Sequence, residues 1–83
     1  MMIELRELKE VEGGEDAVYL RFSNLPIARS KSFSDGEVNV DLDDYNEVVG
    51  IELLSWGPDQ IRVLSDIAAD YTLRLDRLFF EKK

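Results

Sequence analysis

The sequence predicts an α+β domain, an antiparallel β-meander of four or five strands with a C-terminal helix packed on one face. Three observations lead there. Across residues 1–55, apolar side chains recur at every second position in short stretches, and each stretch so patterned acquires one apolar face as a strand. The stretches are separated by clusters of Gly, Asp, Asn, Ser and Pro, the residues that tight turns require. After Trp56-Gly57-Pro58 the apolar positions switch to steps of three and four, which is the spacing of a helix face.

Taken in order, Ile3 and Leu5 alternate with Glu4 and Arg6 and predict a first strand from Met2 to about Lys9. The run Glu12-Gly13-Gly14-Glu15-Asp16 is expected to close the first hairpin, because paired glycines reach positive φ without steric cost. Val18, Leu20 and Phe22 then share one face of a strand, with Tyr19 and Arg21 on the other. Pro26 ends it, lacking the N–H that a central ladder needs. Residues 27–33 are mostly small or basic, which suits a short edge strand guarded by Lys31.

Ser34-Asp35-Gly36 turns the chain into a central hairpin. Val38, Val40 and Leu42 on its first arm, and Val49, Ile51 and Leu53 on its second, are expected in the core, with Val48 and Gly50 facing away. Its own turn runs from Asp43 to Glu47, with Asn46 the residue suited to left-handed geometry. Gly50 is unusual, since a glycine inside a strand costs about 0.5–1 kcal/mol relative to alanine. Such a glycine marks a place where a large neighbour comes close, and Tyr19 or Trp56 is the candidate.

The helix is predicted over 58–81, with Asp59 capping its start behind Pro58. Ile61, Leu64, Ile67, Ala68, Tyr71, Leu75, Leu78 and Phe79 form one stripe, and Arg62–Asp66, Asp70–Arg74 and Arg77–Glu81 form i, i+4 pairs on the other side. Ala69, Leu73 and Phe80 fall among those charges. Either the helix breaks near residues 70–72 and turns Leu73 and Phe80 inward, or this strip meets a partner; partner contact is the expectation. One helix, at most once broken, is expected rather than a further strand.

Composition narrows the chemistry. With 83 residues and 45% apolar content the chain suffices for one domain, 1–83, strand-rich over 1–55 and helical over 58–81. It has no cysteine and no histidine. That removes thiolate nucleophiles and cysteine metal sites together with the commonest general base near neutral pH, so any catalysis would rest on carboxylates, Lys, Tyr or Ser. No enzyme activity, metal or cofactor is expected. Charge sits within the first apolar residues, and no run approaches the ~20 apolar residues of a membrane span; a cytoplasmic protein without membrane association is expected. Net charge is −8, and residues 1–55 hold the whole imbalance, with 13 acids against five bases, while residues 56–83 carry five of each. An acidic strand region repels the phosphate backbone and disfavours direct nucleic-acid binding, whereas a basic protein partner is electrostatically helped.

Three stretches in order, Asp16-Ala-Val-Tyr-Leu-Arg-Phe22, Glu37-Val-Asn-Val-Asp-Leu-Asp-Asp44 and Val48-Val-Gly-Ile-Glu-Leu-Leu54, resemble the small prokaryotic family known as Domain of Unknown Function 2283. The resemblance spans roughly residues 15–55. It departs in the hairpin turn, where the family usually carries Gly and this chain has Tyr45-Asn46, and in a longer stretch after Trp56. What the resemblance implies is a small β-rich domain; it supplies no activity, and for some members an antitoxin role has been inferred by association.

Three candidate sites follow from the residues. Asp41 to Glu52 superficially matches a calcium loop, but its fifth and sixth positions are Tyr45 and Asn46, and strands rather than helices should flank it. The polar strand face gathers Asn39, Asp41 and Glu52 beside Tyr19 and Arg21, a set open to acid–base or metal chemistry and equally to serving as an outer face. Ser30-Lys31-Ser32 cannot act as a serine–lysine pair, since neighbours in a strand point to opposite faces. The expected function is a protein-interaction module, with Ala69, Leu73 and Phe80 as the contact and a second copy or a basic protein as the partner. A purely structural homo-oligomeric subunit is the first alternative and a carboxylate-based metal binder or enzyme the second.

Overall fold

A computed structural model of the chain describes residues 6–14, 17–55 and 57–75. Its elements are β1 (Arg6–Glu7), β2 (Glu10–Gly13), β3 (Val18–Arg21), β4 (Arg29–Phe33), β5 (Val38–Leu42), β6 (Val48–Leu53), α1 (Pro58–Tyr71) and β7 (Leu73–Arg74). Five of the strands form one antiparallel sheet in the order β2-β3-β6-β5-β4. The α+β class and, among the described residues, one helix covering the sheet are as the sequence predicts.

The spatial order differs from a simple meander. Strands β4, β5 and β6 do run as consecutive hairpins, but β6 then pairs with β3, so residues 22–28 carry the chain to the far edge before it returns. This is the Greek-key arrangement of four strands. Burial explains it. Strand β6 is buried at five of its six positions and belongs in the middle, whereas β4 is almost wholly exposed and takes the edge. Arg29, Lys31 and Phe33 alternate there with Ser30 and Ser32, so Lys31 sits on the helix-covered side at the sheet margin, where a charge discourages another strand from adding on.

Leu20, Phe22, Val38, Val40, Leu42, Ile51 and Leu53 are buried as expected, with Val18 half-buried against them. Val48 is also buried in that core, although alternation puts it on the opposite face. The ladder shifts between Asp41 paired with Gly50 and Leu42 paired with Val48. Val49 is the extra residue of a β-bulge, which lets Val48 face inward while Val49 is itself buried.

The turn after β2 and the turn between β5 and β6 differ in mechanism. Neither Gly13 nor Gly14 takes positive φ, and the turn after β2 closes with the Gly14 N–H donating to the Ala17 carbonyl at 2.8 Å. Of the first strand predicted from Met2 to about Lys9, residues 2–5 lie outside the described residues; Arg6–Glu7 form β1, which pairs with β7 outside the five-stranded sheet, and β2 begins at Glu10. Asn46 has the positive φ the sequence assigns it, at 63°. Its turn is anchored by buried Asp43, whose Oδ1 accepts the backbone N–H groups of Tyr45 (2.8 Å) and Glu47 (3.0 Å).

Helix α1 starts with Pro58 at its first position and Gly57 as N-cap, without a side-chain cap, so Asp59 is a first-turn acid rather than the cap. Arg62 meets Asp59 at 3.3 Å instead of Asp66. Leu64 and Ile67 are buried under the sheet, and Val63, Ala68 and Tyr71 pack around them. The helix ends at Tyr71, because Thr72 adopts the left-handed conformation (φ 53°, ψ 53°) and its N–H donates to the Ala68 carbonyl. This corrects the helix expected to run to residue 81; residues 76–83 lie outside the described residues. After Thr72 the chain forms β7, a strand the sequence reading disfavoured, and pairs in parallel with β1. Leu73 therefore points into the core at 7% exposure, and the reading of it as a partner contact is corrected. Arg74, no longer on a helix, reaches Glu7 at 3.5 Å. Ala69 is exposed on α1, and Phe80 lies outside the described residues. Among the described residues, no helix is long and apolar enough to cross a membrane.

Candidate functional site

Helix α1 packs on one face of the five-stranded sheet. The register lays two rows of polar residues across the other. One row runs Glu12, Tyr19, Glu52, Asn39, Ser32; the next runs Glu10, Arg21, Gly50, Asp41, Ser30. All five residues expected on the polar strand face, Tyr19, Arg21, Asn39, Asp41 and Glu52, are thus brought together, each half-buried.

Gly50 organises this face. A Cβ built there would overlap the phenol ring of Tyr19, which lies across the glycine. Of the two neighbours the sequence offered for Gly50, the ring is that of Tyr19; Trp56 lies outside the described residues. Lying flat, Tyr19 spans the gap between Arg21 and Asp41 and donates its hydroxyl proton to Asp41 Oδ2 at 2.8 Å. The Arg21 guanidinium stands 5.1 Å from the ring centroid, within cation–π range. Its Nε donates to Glu12 Oε2 at 3.1 Å, with Glu10 Oε1 at 3.9 Å.

The other end of the face is linked in the same way. Ser30 Oγ donates to Asp41 Oδ1 at 2.5 Å, so each carboxylate oxygen of Asp41 accepts one bond. Asn39 Nδ2 donates to the Gly36 carbonyl (2.9 Å) and to Glu52 Oε1 (3.3 Å), and its Oδ1 accepts from Ser32 Oγ (2.7 Å). Burial, then donation to Asp41 and that carboxylate's charge, push the Tyr19 phenol above its ordinary value of 10.0. The hydrogen bond to Glu12 raises Arg21 in turn.

Chemically this is a cross-linked polar surface. Four carboxylates, Glu10, Glu12, Asp41 and Glu52, face one guanidinium, Arg21. Among the described residues, no group of three or more acidic side chains is placed to hold a metal ion. The Asp41 to Glu52 stretch divides into a strand carboxylate bound by Tyr19 and Ser30, a turn carboxylate holding backbone N–H groups, and a second strand carboxylate bound by Asn39. Ser30 and Ser32 share this face while Lys31 points away, as alternation requires. Sequence reasoning did not name Glu10, Glu12, Ser30 and Ser32 as members of the polar face; their signal is the pairing register, which local alternation does not reveal.

The family described as protein of unknown function (DUF2283) matches residues 14–55. No curated protein matches the chain. No solved structure matches it either.

Proposed function

The chain belongs to the DUF2283 family of proteins of unknown function, and on that footing we propose that it is a non-enzymatic, cytoplasmic protein-interaction module whose open sheet face docks a basic protein. The observation that carries this reading is the contrast between the two sheet faces. One is packed under α1, and the other presents four carboxylates and one guanidinium held by side-chain bonds across the strands. A surface already fixed in this way loses little side-chain freedom on docking. Its charge favours encounter with a basic partner and opposes nucleic acid. Both sheet edges are poorly suited to strand addition, since β2 is short and bears Glu10 and Glu12, and β4 carries Lys31.

An antitoxin is the specific form of this proposal, with a small basic protein encoded beside this one as its target. A homo-oligomeric subunit is the weaker reading, because the apolar strip that favoured it loses Leu73 to the core. The test is affinity capture with the wild type, with Asp41→Lys/Glu52→Lys on the open face, and with Asp66→Lys on the exposed side of α1. The proposal expects a basic protein held by the wild type and the α1 variant and lost by the face variant. Equal capture by all three sinks it.

A further inference from the structure

A cleft of about 720 Å³ opens between the β5–β6 turn and the C-terminal end of α1, within the ~300–1,000 Å³ range of ligand-sized pockets. Phe22 and Val48 contribute its apolar floor, and Tyr45 and Tyr71 stand at its sides. Tyr45 is 78% exposed, more than any other large apolar or aromatic side chain among the described residues. The last turn of α1 carries no basic residue, so the negative end of the helix is not offset by a cation in that turn. Glu7, Glu47 and Asp70 line the cleft against Lys9, with Glu7 also meeting Arg74 at 3.5 Å.

We propose that this cleft receives an arginine or lysine side chain of the basic partner, an assignment that rests on the interaction reading above. Such a side chain matches the cleft at both ends. Its methylene stem covers the apolar floor, and its charged head meets Asp70, the helix carbonyls and the Tyr45 ring, as cations meet aromatic faces. The cleft lies at the end of the sheet where β6 begins, so a partner lying on the open face can reach it by wrapping past the β5–β6 turn.

The test is an amide NMR titration of the full chain with acetyl-arginine amide, using the uncharged isostere acetyl-citrulline amide as control. The expected result is shift changes concentrated at Glu47, Tyr71 and Thr72 with arginine and none with citrulline. Asp70→Asn combined with Tyr45→Ala, both exposed positions, should weaken the response about tenfold. Asp66→Asn, on the exposed side of α1 and away from both the cleft and the open face, should leave it unchanged. Changes centred on Tyr19, Asp41 and Glu52 would overturn the cleft assignment while leaving the docking face standing. No response at either place would overturn the cleft assignment too, and the docking face is then judged by the capture experiment on its own. Equal responses to arginine and citrulline would likewise defeat it, since charge would not be what the cleft reads.

Discussion

Replacing Gly50 by alanine places a methyl group where the phenol of Tyr19 lies. Gly50 does not have positive φ, so alanine fits the backbone there, and in an open strand the exchange would stabilise by about 0.5–1 kcal/mol. Here Tyr19 has to leave. The colliding atoms are the hydroxyl and the distal ring carbons, so the side chain can swing off the sheet without moving the backbone. It then loses its 2.8 Å hydrogen bond to the Asp41 carboxylate, about 1.5 kcal/mol at the low end for a charged acceptor. It also loses the stacking with Arg21, about 0.5–1 kcal/mol at an exposed site. Subtracting the alanine gain leaves a net destabilisation of roughly 1–2 kcal/mol, or a Tm lower by about 5–15 °C in a domain of this size. Urea titration followed by far-UV circular dichroism measures it. In a Tyr19→Ala background the same Gly50→Ala exchange should change sign and stabilise by about 0.5–1 kcal/mol, because nothing remains to displace. An equal effect in both backgrounds would refute the reasoning.

Three further outcomes are expected. Thr72→Gly should stabilise by about 1 kcal/mol, since a β-branched residue at φ 53° is strained; loss of the 2.6 Å bond from Thr72 Oγ1 to the Tyr71 carbonyl limits the gain, and thermal unfolding reads the net effect. Leu73→Ala should destabilise by about 2–4 kcal/mol without changing the sedimentation coefficient of the folded protein; unchanged stability with altered self-association would restore the partner-contact reading. Alkaline pH should destabilise the fold through Tyr19. Its folded pKa is raised above the unfolded value of 10.0, so this contribution is fully present below pH 10 and lost as pH rises past it toward the folded value. Tyr19→Phe should flatten that decline, and an identical pH profile for variant and wild type would contradict the assignment.

Local signals carried most of the fold. Alternation located β3, β5 and β6 and their core residues, and the step of three and four located α1, because both are read from one stretch at a time. What escaped depends on pairing. Val48 faces inward only because a bulge at Val49 lets Leu42 pair with it, and no period within β6 discloses that shift. The place of β6 between β3 and β5 likewise follows from how much apolar surface each strand must bury, which requires comparing strands rather than reading each alone. The end of α1 was hidden by residue type. Glycine or asparagine at a left-handed cap would have announced it, whereas Thr72 gives no such sign, so Leu73 continued the wheel on paper and turned into the core in the structure. The open face was legible as a set of residues. Gly50 pointed to Tyr19 through its missing side chain, but the bonds from Tyr19 and Ser30 to Asp41 need the register of four strands at once, β3, β6, β5 and β4.

The most direct measurement uses a photo-reactive residue at position 52, on the central strand of the open face, and separately at position 66 on the exposed side of α1, each irradiated in cells and analysed by mass spectrometry. The account predicts a covalent adduct to a basic protein from position 52 and none from position 66. Adducts formed only from position 66, or formed from position 52 only with a second copy of the chain, would contradict it.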